Sequence, residues 1–305
     1  MLNTNLDAPS GVSPTREWQL KPARGILRSK LRGKRAAYWM DSSILRRTHS
    51  SAFEIAAGID FVSVAVFAAI SVLGGIFSGA VAGEQKRLDV LELFTSQGCS
   101  SCPPADLLLG QFAKRDDVLA LSFPVNYWDH LGWRDTLAKD AFNERQRGYA
   151  GARGDREIYT PQIVVNGLVH AVGSQKSAIE AAMAKSGREL RAAWVPLSLE
   201  CGGGDAKLQA GDAPAGSEYR SGKLWLVFYS NSVTVVIGRG ENHGREITYT
   251  NVVRQLLPAG NWEGREARYQ VKIPQGARFD GCVALLQSDK TQAVIGASVV
   301  AVAAQ

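Results

Sequence analysis

Residues 88–106 read LDVLELFTSQGCSSCPPAD. The first part of this stretch is a short apolar run of the kind that forms a buried β-strand. The polar residues Thr95-Ser96-Gln97-Gly98 favour a turn after it, and Cys99 and Cys102 come next. Proline suits the first turn of a helix, so we expect a helix to begin near Pro103. The stretch therefore predicts a strand, a Cys-x-x-Cys turn and a helix in direct succession.

The Cys-x-x-Cys spacing at a strand-to-helix junction is typical of a reactive cysteine pair. Backbone N–H groups at the start of a helix stabilise a thiolate, which is the nucleophilic form of cysteine. A separation of two residues lets the second sulfur reach the first and resolve a mixed disulfide. We therefore interpret Cys99 as the exposed attacking thiol and Cys102 as the resolving thiol.

Further strands and helices alternate along the chain to about residue 190. The pattern predicts a strand over Val118–Tyr127, a helix from Asp135 or Thr136 to about Ala150, a strand over Gln162–Val165, a hairpin turn at Asn166-Gly167 with a return strand over Leu168–Val172, and a helix from Ser174 to about Lys185. The order β-α-β-α-β-β-α is typical of a partly parallel sheet covered by helices. We assign it to one α/β domain, residues 83–190.

This order resembles the thioredoxin-like fold, and Thr160-Pro161 adds to the resemblance. The pair stands directly before the third strand, where that family carries a cis-proline close to its cysteines. The resemblance implies that Thr160 and Pro161 position an extended substrate, because Thr160 can offer it backbone N–H and C=O groups. The alternative is that Pro161 merely opens an edge strand in the trans form.

The residues after about 190 have a different texture, with short strands and frequent turns. Strands are predicted over Trp194–Leu199, Lys223–Phe228, Val233–Ile237, Glu246–Leu256, Ala267–Ile273, Cys282–Leu286 and Ala293–Val302. Glycine-rich and asparagine-containing turns separate several of them. This pattern suggests a second, β-rich and sandwich-like domain over residues 191–305.

The N-terminal part of the chain predicts export. Residues 1–59 are basic, Ser-rich and Gly-rich without a steady period, so we expect disorder there. Residues 61–82 carry no charge, and their number is close to the about 20 residues that cross a bilayer. We interpret residues 60–82 as a signal peptide cleaved before Gly83, or as an uncleaved signal anchor in the inner membrane. A buried helix of a soluble protein is the third interpretation.

The distribution of charge excludes one class of partner. The formal net charge is +6 at pH 7, but the excess of Lys and Arg lies in residues 1–59. The remaining chain is nearly neutral, so we expect no binding of DNA or RNA. Export makes the protein periplasmic or secreted, either free or anchored to the membrane and facing the periplasm.

Two further cysteines, Cys201 and Cys282, lie in the β-rich region. In the oxidising compartment to which export leads, we expect them to form a structural disulfide. The alternatives are two free buried thiols, or one thiol that exchanges with Cys99.

Several segments together resemble an exported bacterial family, domain-of-unknown-function family 1223. The resemblance rests on residues 91–106, on Asn126-Tyr127-Trp128-Asp129, on Tyr159-Thr160-Pro161-Gln162 and on Arg239-Gly240-Glu241-Asn242. It extends from Leu88 to the C-terminus and implies a thioredoxin-like domain with a β-rich extension in a bacterial cell envelope. It implies no established reaction.

The cysteine pair favours thiol–disulfide exchange as the function. As an oxidoreductase of this kind, the protein acts on exported protein thiols or disulfides, or on small thiols. Trp128 and His130 follow the second strand and are expected to line the site. One alternative is a non-catalytic binding module of the envelope whose cysteine pair is a staple. Another is copper handling, with Cu(I) bound by the cysteines and His130; otherwise we expect no metal and no cofactor.

Overall fold

The computed structural model describes residues 86–302. The interpretations of residues 1–59 and 60–82, including cleavage before Gly83, concern residues outside that range. Within residues 86–302, no helix has the length and apolar character needed to cross a membrane.

The described residues form a mixed α/β structure that is rich in strands, as the sequence predicts. The helices are α1 (Pro103–Phe112), α2 (Asp140–Arg153) and α3 (Lys176–Glu189), and a short 3₁₀ turn spans Asp129–Leu131. The strands are β1 (Asp89–Thr95), β2 (Val118–Pro124), β3 (Gln162–Val165), β4 (Val169–Val172), β5 (Leu197–Gly202), β6 (Asp205–Ala210), β7 (Gly222–Val236), β8 (Glu246–Trp262), β9 (Ala267–Lys272), β10 (Gly281–Ser288) and β11 (Val294–Ala301).

Most strands belong to one eight-stranded sheet in the order β11-β10-β7-β8-β2-β1-β3-β4. Strand β1 pairs in parallel with β2 and antiparallel with β3. Both faces of the β1–β2 region are covered, which explains the nearly continuous apolar runs in these strands. Helices α1 and α3 pack on one face around Leu93 and Ile163. Helix α2 packs on the other face, where Phe94, Phe123 and Phe142 are buried.

The hairpin between β3 and β4 is confirmed at the predicted turn. Asn166 and Gly167 both have positive φ, 50° and 70°, as a two-residue hairpin turn of the primed type requires. A Cβ on Gly167 would lie 2.2 Å from the carbonyl oxygen of Gln292, so this turn needs glycine for space as well. The amide of Val294 donates to the carbonyl of Asn166 (2.9 Å), so the β10–β11 edge of the sheet curls back to this hairpin.

The helix predicted to start at Asp135 or Thr136 starts later, at Asp140. The Asp135 carboxylate accepts hydrogen bonds from the backbone N–H groups of Leu137 and Ala138 (2.9 and 3.1 Å). These bonds cap a separate turn, because a short acidic side chain can satisfy nearby amides without a helix following.

The region after residue 190 divides between two sheets. Strands β7, β8, β10 and β11 extend the eight-stranded sheet across the boundary predicted near residue 190, while β5, β6 and β9 form a small sheet of their own. Side chains of both sheets share one apolar core, and the disulfide between Cys201 and Cys282 joins β5 to β10. Cys201 and Cys282 are therefore bonded, as their sequence context predicts, and the disulfide links the small sheet to the large one.

The hairpin of β7 and β8 is longer than predicted and reaches α1. Strand β7 continues through two predicted strands, and register shifts near Trp225 and Tyr229 bend the pair. Strand β8 meets β2 at Val252, and the residues before it pair with β7 alone. The Thr250 hydroxyl lies 3.0 Å from where a Cβ would stand on Gly110. The distal half of the hairpin therefore runs along α1 toward the cysteine turn.

Candidate functional site

The cysteine pair lies in the turn between β1 and α1. Cys99 and Cys102 form a disulfide, with their Cα atoms 5.4 Å apart. Two backbone hydrogen bonds close the turn: the Cys99 amide donates to the carbonyl of Ser96 (3.1 Å) and the Cys102 amide to that of Cys99 (3.2 Å). Helix α1 begins at Pro103, as the sequence predicts. Cys102 thus caps the helix, and Cys99 stands ahead of it in the turn.

The prediction that Cys99 is exposed is wrong for this disulfide form. Cys99 is 4% exposed and Cys102 is fully buried, whereas Ser100 and Ser101 between them are exposed. Local sequence gives no sign of this burial, because the cover comes from distant segments of the chain.

Trp128 connects the cysteine turn to Thr160. Its indole Nε1 donates to the Thr160 Oγ1 at 2.8 Å. Its Cβ lies 3.0 Å from where a Cβ would stand on Gly98, so glycine before Cys99 permits the close approach. The Thr160–Pro161 peptide bond is cis. Trp128, Thr160 and the cysteine turn are therefore close together in the structure.

Pro161 also lies close to the first turn of α1. A Cβ on Gly173 would lie 3.2 Å from the Cβ of Pro161 and 3.0 Å from that of Ala105, in the first turn of α1. The Gly173 amide also donates to the Pro161 carbonyl at 2.9 Å. Pro161 therefore lies next to the helix end that carries Cys102.

His130 stands at the edge of this group. It is exposed, and its ring lies 6.3 Å from the Trp128 ring in a nearly parallel orientation. Its Nδ1 pairs with the Tyr127 carbonyl at 2.9 Å. Among residues 86–302, no three His, Cys, Asp or Glu side chains converge in a way that would hold a metal ion.

Gln97 is the centre of a network that sequence reasoning missed. This buried residue donates its amide N–H to Asp135 Oδ2 (2.8 Å). Its side-chain Oε1 accepts from Trp133 Nε1 (2.8 Å), and its Nε2 donates to Thr136 Oγ1 (3.1 Å). The segment after β2 therefore holds the turn before Cys99 in place.

The connection between β7 and β8, residues 237–245, forms the remaining wall; we call it the hairpin tip. Asn242 is fully buried, and its Nδ2 donates to the carbonyls of Gln97 (3.0 Å) and Cys99 (2.8 Å). The neighbouring Glu241 accepts a hydrogen bond from the Ser100 amide at 3.3 Å. The sequence suggested this segment only through the family resemblance, because a contact across more than 140 positions leaves no local pattern.

Two acidic side chains are buried beneath the cysteine turn. Asp106, on α1, is 3% exposed, and neither carboxyl oxygen has a hydrogen-bond partner; the neighbouring Thr95 hydroxyl does not reach bonding geometry. Burial raises the pKa of Asp106 well above its usual range, and the negative charge of Asp135 adds to the shift. Burial also raises the pKa of Asp135 to about 6. The Tyr249 hydroxyl near them is buried without a partner.

Replacing Asp106 by Asn is expected to stabilise the protein at alkaline pH and to change little in acid. The unfolded chain releases this proton near pH 3.9 and the folded chain only at higher pH, so the free energy of unfolding falls as the pH rises between the two values. Asparagine has the same shape and carries no charge. At about pH 8 we expect a gain of about 2 kcal/mol, or roughly 5 °C in Tm, in thermal unfolding followed by circular dichroism. At about pH 4 the two Tm values should coincide, and equal Tm values at both pH values would contradict the assignment.

Comparison with solved structures places this arrangement among known folds. A structure of protein AGR_C_4864 from Agrobacterium tumefaciens is 31% identical, with a TM-score of 0.61, over 71% of this chain and 96% of that one. HBP35 of Porphyromonas gingivalis is similar in fold alone: it is 14% identical, with a TM-score of 0.50, over 71% of this chain and 76% of that one. No curated protein matches.

A family model agrees with the resemblance seen in the sequence. The model described as "Protein of unknown function (DUF1223)" matches residues 90–287. The match contains the cysteine turn, Trp128, Thr160-Pro161 and the hairpin tip, so all parts of the site lie inside it. The protein therefore belongs to the DUF1223 family.

Proposed function

We propose that the protein is an exported, thioredoxin-like thiol–disulfide oxidoreductase in which Cys99 exchanges with substrate sulfur. The observation that carries the proposal is a disulfide across three positions at the junction of β1 and α1, with Trp128 and Thr160 beside it. The succession of β1, α1, β2, α2, β3, β4 and α3 supports a thioredoxin-like domain. Two disulfides within residues 86–302 support an oxidising compartment, periplasmic or extracellular.

The proposed reaction transfers two electrons between two pairs of sulfur atoms. In the reduced protein, the Cys99 thiolate attacks one sulfur of a substrate disulfide, forms a mixed disulfide and releases the other substrate sulfur as a thiolate. The Cys102 thiolate then attacks the Cys99 sulfur and releases the second substrate thiolate. The Cys99–Cys102 disulfide forms, and the two protons lost by the cysteines end on the substrate thiols. The reverse sequence oxidises a substrate dithiol.

The surroundings of the pair suit the two roles differently. Cys102 is fully buried, whereas Cys99 keeps a small exposed surface, 4%; we therefore assign the contact with substrate to the Cys99 sulfur. Cys99 precedes the first turn of α1 and is joined to it by the hydrogen bond from the Cys102 amide to the Cys99 carbonyl (3.2 Å); in the proposal, the free N–H groups at the start of that helix act on the Cys99 thiolate. Such groups favour the thiolate over the thiol.

The test is the exchange reaction of the full reduced chain with a small neutral disulfide, hydroxyethyl disulfide, and with insulin. Dithiothreitol serves as the unassisted reference for each. We expect a second-order rate constant at least about tenfold above that of dithiothreitol with one or both disulfides, as an activated thiolate gives. A protein that reacts with neither faster than dithiothreitol, while its Cys99–Cys102 pair is fully reduced, is not an oxidoreductase.

One observation favours a second candidate, a binding module of the cell envelope whose disulfide is structural. A structural disulfide is usually buried and held by its surroundings. Cys99 has low exposure, and Asn242 and Glu241 form hydrogen bonds with the turn around it. The same assay separates the two candidates, because a staple gives no exchange. Copper handling has less support, since His130 is exposed and its Nδ1 pairs with a backbone carbonyl.

A further inference from the structure

We propose that Asn242 is a specificity-determining residue of the site: by holding the hairpin tip on the cysteine turn, it restricts Cys99 to small disulfides and excludes folded protein substrates. This inference rests on the proposed function and names the substrate class of the same site. It assigns to the β-rich part of the chain a role in selection.

Asn242 binds the cysteine turn through two hydrogen bonds of its side-chain amide. Both hydrogens of its side-chain amide are used, one for the carbonyl of Gln97 and one for the carbonyl of Cys99. The side chain is fully buried, yet its Oδ1 has no hydrogen-bond partner. A buried acceptor without a partner is unfavourable. The two hydrogen bonds that Nδ2 donates must therefore compensate for the unpaired Oδ1, and the side chain is oriented to make them.

The hairpin tip also packs against the Trp133 side chain. A Cβ on Gly238 would lie 2.8 Å from the Trp133 ring, and Gly240 also approaches that side chain. Trp133 in turn donates to Gln97. The tip therefore packs against Trp133, and both Trp133 and Asn242 donate hydrogen bonds to Gln97. The tip is thus held to the cysteine turn at two places.

The low exposure of Cys99 limits the size of the partner that can reach its sulfur. Cys99 is 4% exposed while the flanking Ser100 is open to solvent. A small linear disulfide needs only a narrow opening for in-line attack, whereas a disulfide within a folded protein brings a broad surface with it. The hairpin tip is hydrogen-bonded to the backbone of Cys99 and Ser100, so a broad partner surface that approaches Cys99 meets the tip as well, and in the proposal the tip discriminates by the size of the partner.

Asn242→Asp is the sharpest variant. It keeps the shape of the side chain but, when ionised, turns two donors into acceptors that face two carbonyl oxygens, so the tip is repelled from the turn. His243→Gln is the matched control, because that exposed side chain lies on the same tip and, among the described residues, makes no hydrogen bond to the cysteine turn. Asn242→Ala removes the donors without adding charge and replaces the Asp variant if that one does not fold.

The measurement is the rate constant of each full reduced chain with insulin and with hydroxyethyl disulfide, each divided by that of dithiothreitol. We expect the unsubstituted chain and His243→Gln to favour the small disulfide, and Asn242→Asp to raise the ratio of insulin to small disulfide at least about tenfold. An unchanged ratio in a folded Asn242 variant overturns the inference while leaving exchange established.

If neither disulfide reacts, the proposed function is refuted and the preference for small disulfides falls with it. Alkylation then still tests whether Asn242 and the hairpin tip keep large partners away from Cys99. Cys99 in the reduced chains is then treated with iodoacetamide and with a maleimide carrying a long polyethylene glycol chain. We expect Asn242→Asp to accelerate the bulky reagent at least about tenfold more than the small one. Equal acceleration of both reagents contradicts a cover that discriminates by size.

Discussion

Replacing Cys99 by Ser is expected to lower the rate of exchange with hydroxyethyl disulfide at least about a thousandfold, to the level of the unassisted reaction. A serine hydroxyl is not ionised at neutral pH and cannot form a mixed disulfide, so the first step has no nucleophile. The measurement is the second-order rate constant of the full reduced chain at neutral pH. The reaction is followed by the release of mercaptoethanol.

Two further variants show whether the loss belongs to the proposed mechanism. Cys102→Ser should keep the first step and lose the second, so it releases one thiol for each disulfide attacked. The double variant Cys201→Ser with Cys282→Ser should keep the full rate, because that pair joins β5 to β10 and has no part in the site. If the Cys99→Ser protein retains exchange, other sulfur atoms carry out the reaction and the proposed mechanism is wrong.

Replacing Arg145 by Met is expected to lower the free energy of unfolding by about 3–5 kcal/mol. Arg145, on α2, is 4% exposed and pairs with Glu92 on β1, which is 1% exposed. The Glu92 Oε1 accepts hydrogen bonds from the Arg145 Nη2 and the Tyr149 hydroxyl, both at 2.7 Å. Without Arg145 the carboxylate stays buried with no opposite charge, which costs more than the pair itself contributes.

The matched variant removes the charge on both sides. Glu92→Gln combined with Arg145→Met leaves no buried charge and keeps an acceptor for Tyr149, so we expect it to be more stable than Arg145→Met alone. Denaturant unfolding of Arg145→Met, of Glu92→Gln alone, of the double variant and of the parent chain gives the double-mutant cycle. A double variant that is less stable than Arg145→Met would contradict this explanation, because it would show that the buried Glu92 carboxylate is not destabilising when Arg145 is absent.

Local sequence carries much of the fold. The apolar runs of β1 and β2, the two prolines that open α1 and the Asn166-Gly167 turn each have a short-range cause, and the structure has these elements where the sequence predicts them. The start of α2 was misplaced because Asp135 satisfies a turn of its own. Strand β6 alternates polar and apolar residues, but two of its three apolar residues are alanine, which has little preference for strands, so the sequence gives only a weak strand pattern there.

The candidate site divides in the same way. Local patterns mark the cysteine pair, which follows an apolar strand, and Thr160-Pro161, which precedes one. In the structure, Trp128 contacts both the cysteine turn and Thr160. The burial of Cys99 and the role of Asn242 could not be predicted, because both depend on where a long, bent hairpin ends. The buried pair of Glu92 and Arg145 is equally hidden, since a charged residue within a strand indicates nothing about a partner on a distant helix.

The most direct test of the proposed chemistry is to isolate its intermediate. The full Cys102→Ser chain is reduced, mixed with hydroxyethyl disulfide and digested after acid quenching, and the modified cysteine is identified by mass spectrometry. The expected result is one mercaptoethanol group, attached to Cys99. A Cys99 that stays unmodified under conditions in which free cysteine reacts would contradict the account, and the protein would then be a scaffold whose disulfide only holds β1 to α1.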